Sequence, residues 1–163
     1  MNFEQADAIN EAIRAIGIRH RELAVAAMSP FGIHPGHKLI LLELESAGPR
    51  TQAQLAAASG YEPPTITLSV QQLEAADLVV RRASPSDGRA LIVELTDQGR
   101  ALLPKLKAAW RGVAELTVAG LESTSVDELI AVLEDLAGSL AAVSAEAAEK
   151  DVPRYKPRSR LRR

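Results

Sequence analysis

Three arginines surround a short turn in the segment VVRRASPSDGRALIVELT, which covers residues 79–96. Arg81 and Arg82 precede the turn, and Arg89 follows its Asp-Gly pair. A guanidinium group carries a permanent charge and a planar fork of donors, which suits phosphate oxygens and narrow minor grooves of DNA. The pattern therefore indicates a hairpin that reaches into a DNA groove, and an ordinary hairpin with a solvated tip is the alternative.

A second set of side chains lies upstream, in the segment YEPPTITLSVQQLEAADLV. Its apolar residues Ile66, Val70 and Leu73 share one helical face, which leaves the opposite face free to contact a partner. The side chains predicted on this outer face are Thr65, Thr67, Leu68, Gln71 and Gln72. Hydroxyl and amide groups can pair with base edges, and an apolar side chain can pack on a thymine methyl group. A solvated polar face is the alternative.

The elements that position these side chains follow from caps and apolar spacing. The segment TQAQLAAASG begins with Thr51 and Gln54 in the pattern of a capping box and stops at Gly60, so it predicts a short helix. A second helix from Pro63 completes the spacing of a helix-turn-helix, in which the second helix lies in the major groove. Strand-forming runs on both sides of the Asp-Gly turn then predict a two-stranded hairpin.

Long amphipathic patterns flank this compact unit. Residues 4–28 predict one long helix, and HKLILLELESAG predicts a short helix that Gly48 ends. After the hairpin, Thr96 and Ser125 are predicted N-caps of two further helices, and Pro104 should bend the first of them or mark a boundary. The outer helices have more apolar surface than the small unit can cover, so a homodimer built from both ends of the chain is expected.

The predicted fold class is mainly α with a small β-hairpin, a winged helix-turn-helix with long N- and C-terminal dimerisation helices. We expect an N-terminal dimerisation helix at 1–32, a winged helix-turn-helix DNA-binding domain at 33–100, C-terminal dimerisation helices at 101–149 and a tail at 150–163. The tail holds seven basic side chains and one acidic side chain, so it should be disordered when free. It is either a solubilising end or an arm that adds phosphate contacts.

The composition narrows the function classes. No cysteine occurs among the 163 residues, which excludes disulfides, thiolate metal sites and thiol-based peroxide sensing. The net charge of −2 combines +6 from the tail with −8 from residues 1–149, so it neither supports nor refutes DNA binding. No apolar run approaches the ~20 residues of a membrane span, and the N-terminus lacks the pattern of a signal peptide. A soluble, cytoplasmic protein is expected.

Catalytic and metal-binding patterns are missing from the sequence. His34 and His37 flank a Pro-Gly pair, but zinc needs three or four ligands in one place and no neighbouring segment supplies the others. We expect His34 near a helix start instead. Without a Gly-rich phosphate loop, a nucleophile elbow or a metal-ligand cluster, neither an enzyme nor a bound cofactor is expected.

The hairpin and the segment after it resemble the MarR (multiple antibiotic resistance regulator) family of winged helix-turn-helix repressors. The family pattern is Asp-x-Arg, a short strand and Leu-Thr-x-x-Gly, which this chain matches at Asp87, Arg89, Leu95, Thr96 and Gly99. Upstream matches to the same family fall at Leu55, Ala56, Thr67, Leu73, Glu74, Leu78, Val79 and Arg81. Leu68 departs from the family, in which a basic residue is common at this position.

The resemblance implies a homodimer that binds palindromic double-stranded DNA, most often as a repressor. By this resemblance Arg89 enters the minor groove and Asp87 orients it through a salt bridge, with Ser86 at the same wing tip. A surface ion pair with no partner is the alternative for Asp87 and Arg89. Because Leu68 leaves the second helix without a basic residue, a winged-helix module that binds protein partners and has lost operator recognition is the alternative function.

The resemblance also implies that a small-molecule effector releases the DNA, since family members often respond to small aromatic or phenolic anions. The candidate effector residues are Arg14, Arg19 and His20 on the first helix and Trp110 on the fifth. Solvated or interface side chains are the alternative for all four.

Overall fold

The structure, a computed structural model, describes residues 1–83 and 91–149, with side chains described as far as residue 143. The helices of these stretches are α1 (Phe3–Met28), α2 (Pro35–Ala47), α3 (Gln52–Ser59), α4 (Pro63–Ala75), α5 (Asp97–Val118) and α6 (Val126–Glu149). The strands are β1 (Arg50–Thr51), β2 (Val79–Ala83) and β3 (Leu91–Leu95). The predicted fold class is confirmed.

Local hydrogen bonds fix helix ends at the predicted residues. Thr51 Oγ1 accepts from Gln54 N at 3.2 Å, and Gln54 Oε1 accepts from Thr51 N at 2.9 Å, so a capping box begins α3. Gly60 ends α3 with a φ of 69°, in the left-handed region that favours glycine. Ser125 and Glu128 form the same reciprocal pair at the start of α6, at 3.2 and 2.9 Å.

The helix α5 continues through Pro104, so the alternative of a boundary there is wrong. Proline removes the hydrogen bond to the carbonyl of Arg100, four residues earlier. Both residues are exposed, and water can therefore satisfy that carbonyl. The predicted cap of α5 is confirmed, because Thr96 Oγ1 accepts a hydrogen bond from Gly99 N at 3.0 Å.

The wing is three-stranded at its base. The strands β2 and β3 pair antiparallel from Val79 opposite Leu95 onward. The strand β1, which the sequence pattern does not predict, pairs Thr51 with Ile92 on the other edge of β3. The strand order is therefore β1-β3-β2, with β3 in the centre.

One apolar core supports the helix-turn-helix and the wing. Its most deeply buried side chains are Met28, Ile40, Leu41, Leu55, Ile66, Val70, Leu73, Val79, Val93 and Leu106. They come from α1 to α5 and from both hairpin strands. Because these side chains pack on one another, the core fixes the recognition elements and the adjoining parts of α1 and α5 as one body.

The chain divides into two compact units, with the boundary after Thr117. In the first unit, α1 leaves Ile9, Ile13 and Ile16 exposed. In the second unit, the described side chains of α6 include an exposed apolar set, namely Ile130, Leu133, Leu136 and Leu140. Within the described ranges, no helix is both long and apolar enough to span a bilayer.

Candidate nucleic-acid interface and ligand pocket

The helix α4 is held against α3 by a tight turn and by a side-chain contact. Pro63 is the first residue of α4, where a backbone N–H would have no acceptor within the helix, so proline costs no helical hydrogen bond there. Thr67 Oγ1 donates to Gln52 Oε1 on α3 at 2.8 Å and also lies 3.0 Å from the Pro63 carbonyl oxygen. The Thr67 hydroxyl, which we predict to contact DNA, therefore also joins the two helices of the helix-turn-helix.

The other predicted side chains of α4 lie on its outer face. Thr65, Leu68, Gln71 and Gln72 are all exposed, and the opposite face is buried in the core. Leu68 is 55% exposed, so its methyl groups are available to a partner. The outer face thus offers hydroxyl, amide and methyl groups, which can distinguish base edges, but these four side chains carry no charge that would attract phosphates.

Gln72 is held from α2 by His37, a contact that the sequence does not indicate. His37 Nε2 lies 3.0 Å from Gln72 Oε1, and His37 Nδ1 accepts a hydrogen bond from His34 N at 3.2 Å. His37 is 7% exposed, and burial lowers the pKa of its imidazole. Because Nδ1 accepts the hydrogen bond from His34 N, the ring proton lies on Nε2, which donates a hydrogen bond to Gln72 Oε1.

The two histidines form a helix cap. His34 Nδ1 accepts a hydrogen bond from Gly36 N at 3.1 Å. Together with the hydrogen bond from His34 N to His37 Nδ1, this bond forms a capping box at the start of α2. The expected position of His34 near a helix start is confirmed. In the part of the chain that the structure describes, no group of three His, Cys, Asp or Glu residues could hold a metal ion.

The base of the wing is tied to α4 by an ion pair between Arg81 and Glu74. The Glu74 carboxylate accepts hydrogen bonds from Arg81 Nε at 2.9 Å, from Nη2 at 2.5 Å and from the backbone N at 3.2 Å. Hydrogen bonding from the Arg81 side chain holds the pKa of Glu74 below its ordinary value. The Arg81 guanidinium thus positions the hairpin on α4, and its contact with DNA stays a prediction.

Arg82 lies further along the hairpin and is more available. It pairs with Glu94 on β3 at 2.5 Å, yet 67% of its side chain is exposed. An exposed pair of this kind contributes little, so Arg82 can turn to a phosphate at small cost. The predicted wing-tip residues Ser86, Asp87 and Arg89 lie outside the described residues, and their roles and salt bridge stay predictions.

The first turn of α5 packs on the segment that joins α4 to β2. Thr96 Oγ1 donates to the Asp77 carbonyl at 2.6 Å, and Thr96 N donates to the Leu78 carbonyl at 3.1 Å. Gly99 is buried here, and a β-carbon in its place would lie 2.1 Å from the Leu78 carbonyl oxygen. The Leu-Thr-x-x-Gly motif therefore fastens the long helix to the root of the wing.

A cavity of about 350 Å³ is lined by α1 and by the C-terminal part of α5. Arg19 and His20, two of the predicted effector residues, contribute to its wall. Ile16, Leu23 and Leu116 supply apolar surface. Apolar walls with a few polar groups are typical of small-molecule sites. The Arg19 guanidinium is largely exposed and pairs with Glu22 at 3.3 Å, so an anion would have to compete with that carboxylate.

His20 connects this cavity to a cluster formed by Trp110 and Lys38. The His20 and Trp110 rings meet edge to face with centroids 5.8 Å apart, and Lys38 Nζ lies 3.5 Å from the centroid of the Trp110 ring. Lys38 is 8% exposed, and burial lowers the pKa of its ammonium group. The ion pairs of the described residues do not include Lys38.

Sequence reasoning missed Lys38, although its helical spacing with the buried Leu41 on α2 signals that it faces inward. Arg14, in contrast, lies on the exposed side of α1, pairs with Glu11 at 2.5 Å and does not line the cavity. The structure thus places Arg19 and His20 on the wall of the cavity and Trp110 against His20, and it adds Lys38 as a buried cation over the Trp110 ring. Their role in ligand binding stays a prediction.

The helix-turn-helix, the three-stranded wing and the long flanking helices define a winged helix-turn-helix protein. A sequence model of the MarR family matches residues 31–90. The HTH-type transcriptional repressor Rv2887 of Mycobacterium tuberculosis is 31% identical over 121 residues, which cover 74% of this chain and 87% of Rv2887. The chain belongs to the MarR family. It is a transcriptional regulator and not an enzyme.

Two further similarities concern parts of the molecule or its fold. The HTH-type transcriptional repressor NicR of Pseudomonas putida is 37% identical over 93 residues, which span only 57% of NicR and 57% of this chain. The structure of BpsR of Bordetella bronchiseptica, whose DNA binding is regulated by 6-hydroxynicotinic acid, is also similar. The two structures match with a TM-score of 0.70 and 21% sequence identity, over 80% of this chain and 91% of the BpsR chain. At that identity the likeness to BpsR concerns the fold alone.

Proposed function

We propose that this chain is a homodimeric repressor that binds palindromic operator DNA and is released by a small aromatic anion. The outer face of α4 carries the proposal, because it presents Thr65, Leu68, Gln71 and Gln72 to solvent on a helix that the core holds from behind. These groups suit base edges and thymine methyl groups in a major groove. The names of NicR and Rv2887 support repression as the direction of regulation.

In the proposed complex the wing supplies the charge that the outer face of α4 lacks. Arg89 enters the minor groove with Asp87 as its positioning partner, and Arg82 contacts the phosphate backbone. Arg81 acts through its ion pair with Glu74, which sets the hairpin on the recognition helix. Since Leu68 replaces a basic side chain, the wing carries an unusual share of the affinity.

A second copy of the chain is proposed to cover the exposed apolar faces of α1 and α6. Full burial of one leucine or isoleucine side chain contributes about 1.5–3 kcal/mol, so several such side chains can hold a dimer together. Residues 1–32 and 101–149 then serve as dimerisation helices, and residues 33–100 bind DNA. The two α4 helices must match half-sites about 34–36 Å apart.

The effector is proposed to bind at Arg19, His20, Lys38 and Trp110. The cation on Arg19 or Lys38 pairs with a carboxylate or phenolate, and the aromatic ring packs on apolar walls and on Trp110. 6-Hydroxynicotinic acid, which regulates DNA binding by BpsR, has this chemistry. Binding beside α1 and α5 would alter the spacing of the recognition helices and so weaken the fit to both half-sites.

A footprint of the full-length protein on its own upstream DNA tests the proposal. We expect protection of a palindromic site, and loss of protection when 6-hydroxynicotinic acid is added but not when the uncharged 6-hydroxynicotinamide is added. If Arg89→Ala protects the site as well as the wild type does, operator recognition by the wing is wrong. Absence of any protected site would favour the protein-interaction module, whereas protection that ignores the acid would refute only this effector class.

A further inference from the structure

The contact between His37 and Gln72 joins the start of α2 to the proposed DNA-reading face of α4. The two residues are 35 positions apart, so only the folded domain brings them together. His37 is buried and Gln72 is exposed, and the contact therefore lies where the core meets the outer face of α4. This link constrains one of the side chains proposed to contact DNA.

The tautomer of His37 decides which end of the Gln72 amide it binds. His34 N–H donates to Nδ1 at 3.2 Å, so this ring nitrogen is an acceptor and the ring proton lies on Nε2. An Nε2–H group requires an acceptor, and it selects the carbonyl oxygen of Gln72 rather than the amide nitrogen. The Gln72 NH₂ group, for which no hydrogen bond occurs within the described residues, is left with two free donors.

We infer that His37 is a positioning residue that presents the Gln72 NH₂ group as a fixed hydrogen-bond donor to an acceptor atom on operator DNA. The acceptors of the major groove are N7 of either purine, O6 of guanine and O4 of thymine. A freely rotating glutamine offers either end of its amide and loses side-chain entropy when it binds, whereas the held amide is already oriented. The inference rests on the proposed DNA binding by α4 and deepens it.

Substitutions at the two histidines separate positioning from helix capping. His37→Leu keeps bulk but removes both hydrogen bonds of the ring. His37→Gln keeps an acceptor for His34 N–H and a donor for Gln72, and glutamine is a natural capping-box residue at this position. His34→Ala weakens the same helix cap without touching Gln72, so it is the matched control.

The DNA probe is a duplex that the wild-type, full-length protein enriches from a random-sequence library, with the unselected library as the comparison. For the enriched duplex we expect His37→Leu and Gln72→Ala each to weaken affinity about tenfold. His37→Gln and His34→Ala should stay within about twofold, since both leave the Gln72 contact in place. Affinity for the unselected library should hardly change, because phosphate contacts are untouched.

The combination of His37→Leu with Gln72→Ala gives the decisive measurement. If His37 acts through Gln72, the double variant should lose about tenfold as well, because its second substitution removes nothing further. A loss near a hundredfold, an unchanged affinity of His37→Leu, or an equal loss in His34→Ala would each overturn the inference while DNA binding stands. Failure of the wild type to enrich any sequence would instead overturn the proposed function itself.

Thermal unfolding of every variant shows whether it is folded. Should His37→Leu unfold, His37→Glu takes its place, because glutamate keeps the capping acceptor but brings no donor to Gln72. His37→Glu should then lose affinity for the enriched duplex, and this loss should vanish in the Gln72→Ala background. A loss that persists in that background would assign the effect to charge and contradict positioning.

Discussion

Replacing Gly99 by alanine should destabilise the fold, although alanine is the better helix former. The new β-carbon would lie 2.1 Å from the Leu78 carbonyl oxygen, whereas carbon–oxygen contacts normally lie at about 3.3 Å or more. The start of α5 must therefore move by about 1 Å from the root of the wing. Overpacking costs about 1–3 kcal/mol, here towards the upper limit because the obstacle is backbone. The higher helix propensity of alanine offsets about 1 kcal/mol of this cost, so we expect the free energy of unfolding to fall by about 2 kcal/mol.

Gly112 offers a matched control in the same helix, since apart from its chain neighbours and the backbone of its own helix no described atom lies within 4 Å of the β-carbon that alanine would add. Gly112→Ala should raise the free energy of unfolding by up to about 1 kcal/mol. Urea unfolding followed by circular dichroism, at one protein concentration for all variants, measures both changes. If Gly99→Ala proves as stable as the wild type, or gains stability as Gly112→Ala should, the close approach of α5 to Leu78 does not constrain the motif.

Four further outcomes are expected. Lys38→Met should change the free energy of unfolding by less than about 1 kcal/mol, because an apolar side chain of similar length replaces a buried charge. Calorimetry should show that this variant binds 6-hydroxynicotinic acid about tenfold more weakly, and unaltered binding would place Lys38 outside the pocket. Folding lowers the pKa of His37, so as the pH falls the imidazole is protonated in the unfolded chain before it is protonated in the folded one. The free energy of unfolding should therefore be highest above about pH 6.5 and decrease as the pH falls towards the folded-state pKa. Urea midpoints at neutral pH and at about pH 5 measure this loss, which His37→Gln should reduce. Glu74→Gln should lower the melting temperature and speed amide hydrogen exchange in the hairpin, and unchanged exchange would mean that the Arg81 ion pair does not hold the wing. Deleting residues 151–163 should reduce the salt slope of DNA binding by about 0.9 for each phosphate group that the tail neutralises, and an unchanged slope would show that the tail neutralises none.

Helix ends were predictable because their determinants are local. Thr51 and Gln54 are three residues apart, as are Ser125 and Glu128, and each pair closes its own hydrogen bonds regardless of the rest of the chain. The buried face of α4 was predictable for the same reason, since apolar spacing within one helix decides it.

Contacts between elements could not be predicted in this way. His37 and Gln72 lie on different helices, and Lys38 meets Trp110 only after α2 and α5 have packed. The Arg81 guanidinium is able to bind a DNA phosphate, but the turn between α4 and β2 places it beside the Glu74 carboxylate. For such residues the side-chain type indicates what can be bound, while the tertiary neighbour decides what is bound.

The two-residue strand β1 makes the recognition region cooperative. Its pairing joins Thr51 to Ile92, and closing a loop of about 40 residues costs roughly 3 kcal/mol of chain entropy. A strand of two residues makes few ladder hydrogen bonds, and at about 1 kcal/mol each they do not offset that cost. β1 therefore forms only as α3 and α4 dock, and Thr51 serves both the sheet and the α3 cap. A species with a folded recognition helix and an unfolded wing root should not be populated, so the outer face of α4 and the strands at the base of the wing form together or not at all.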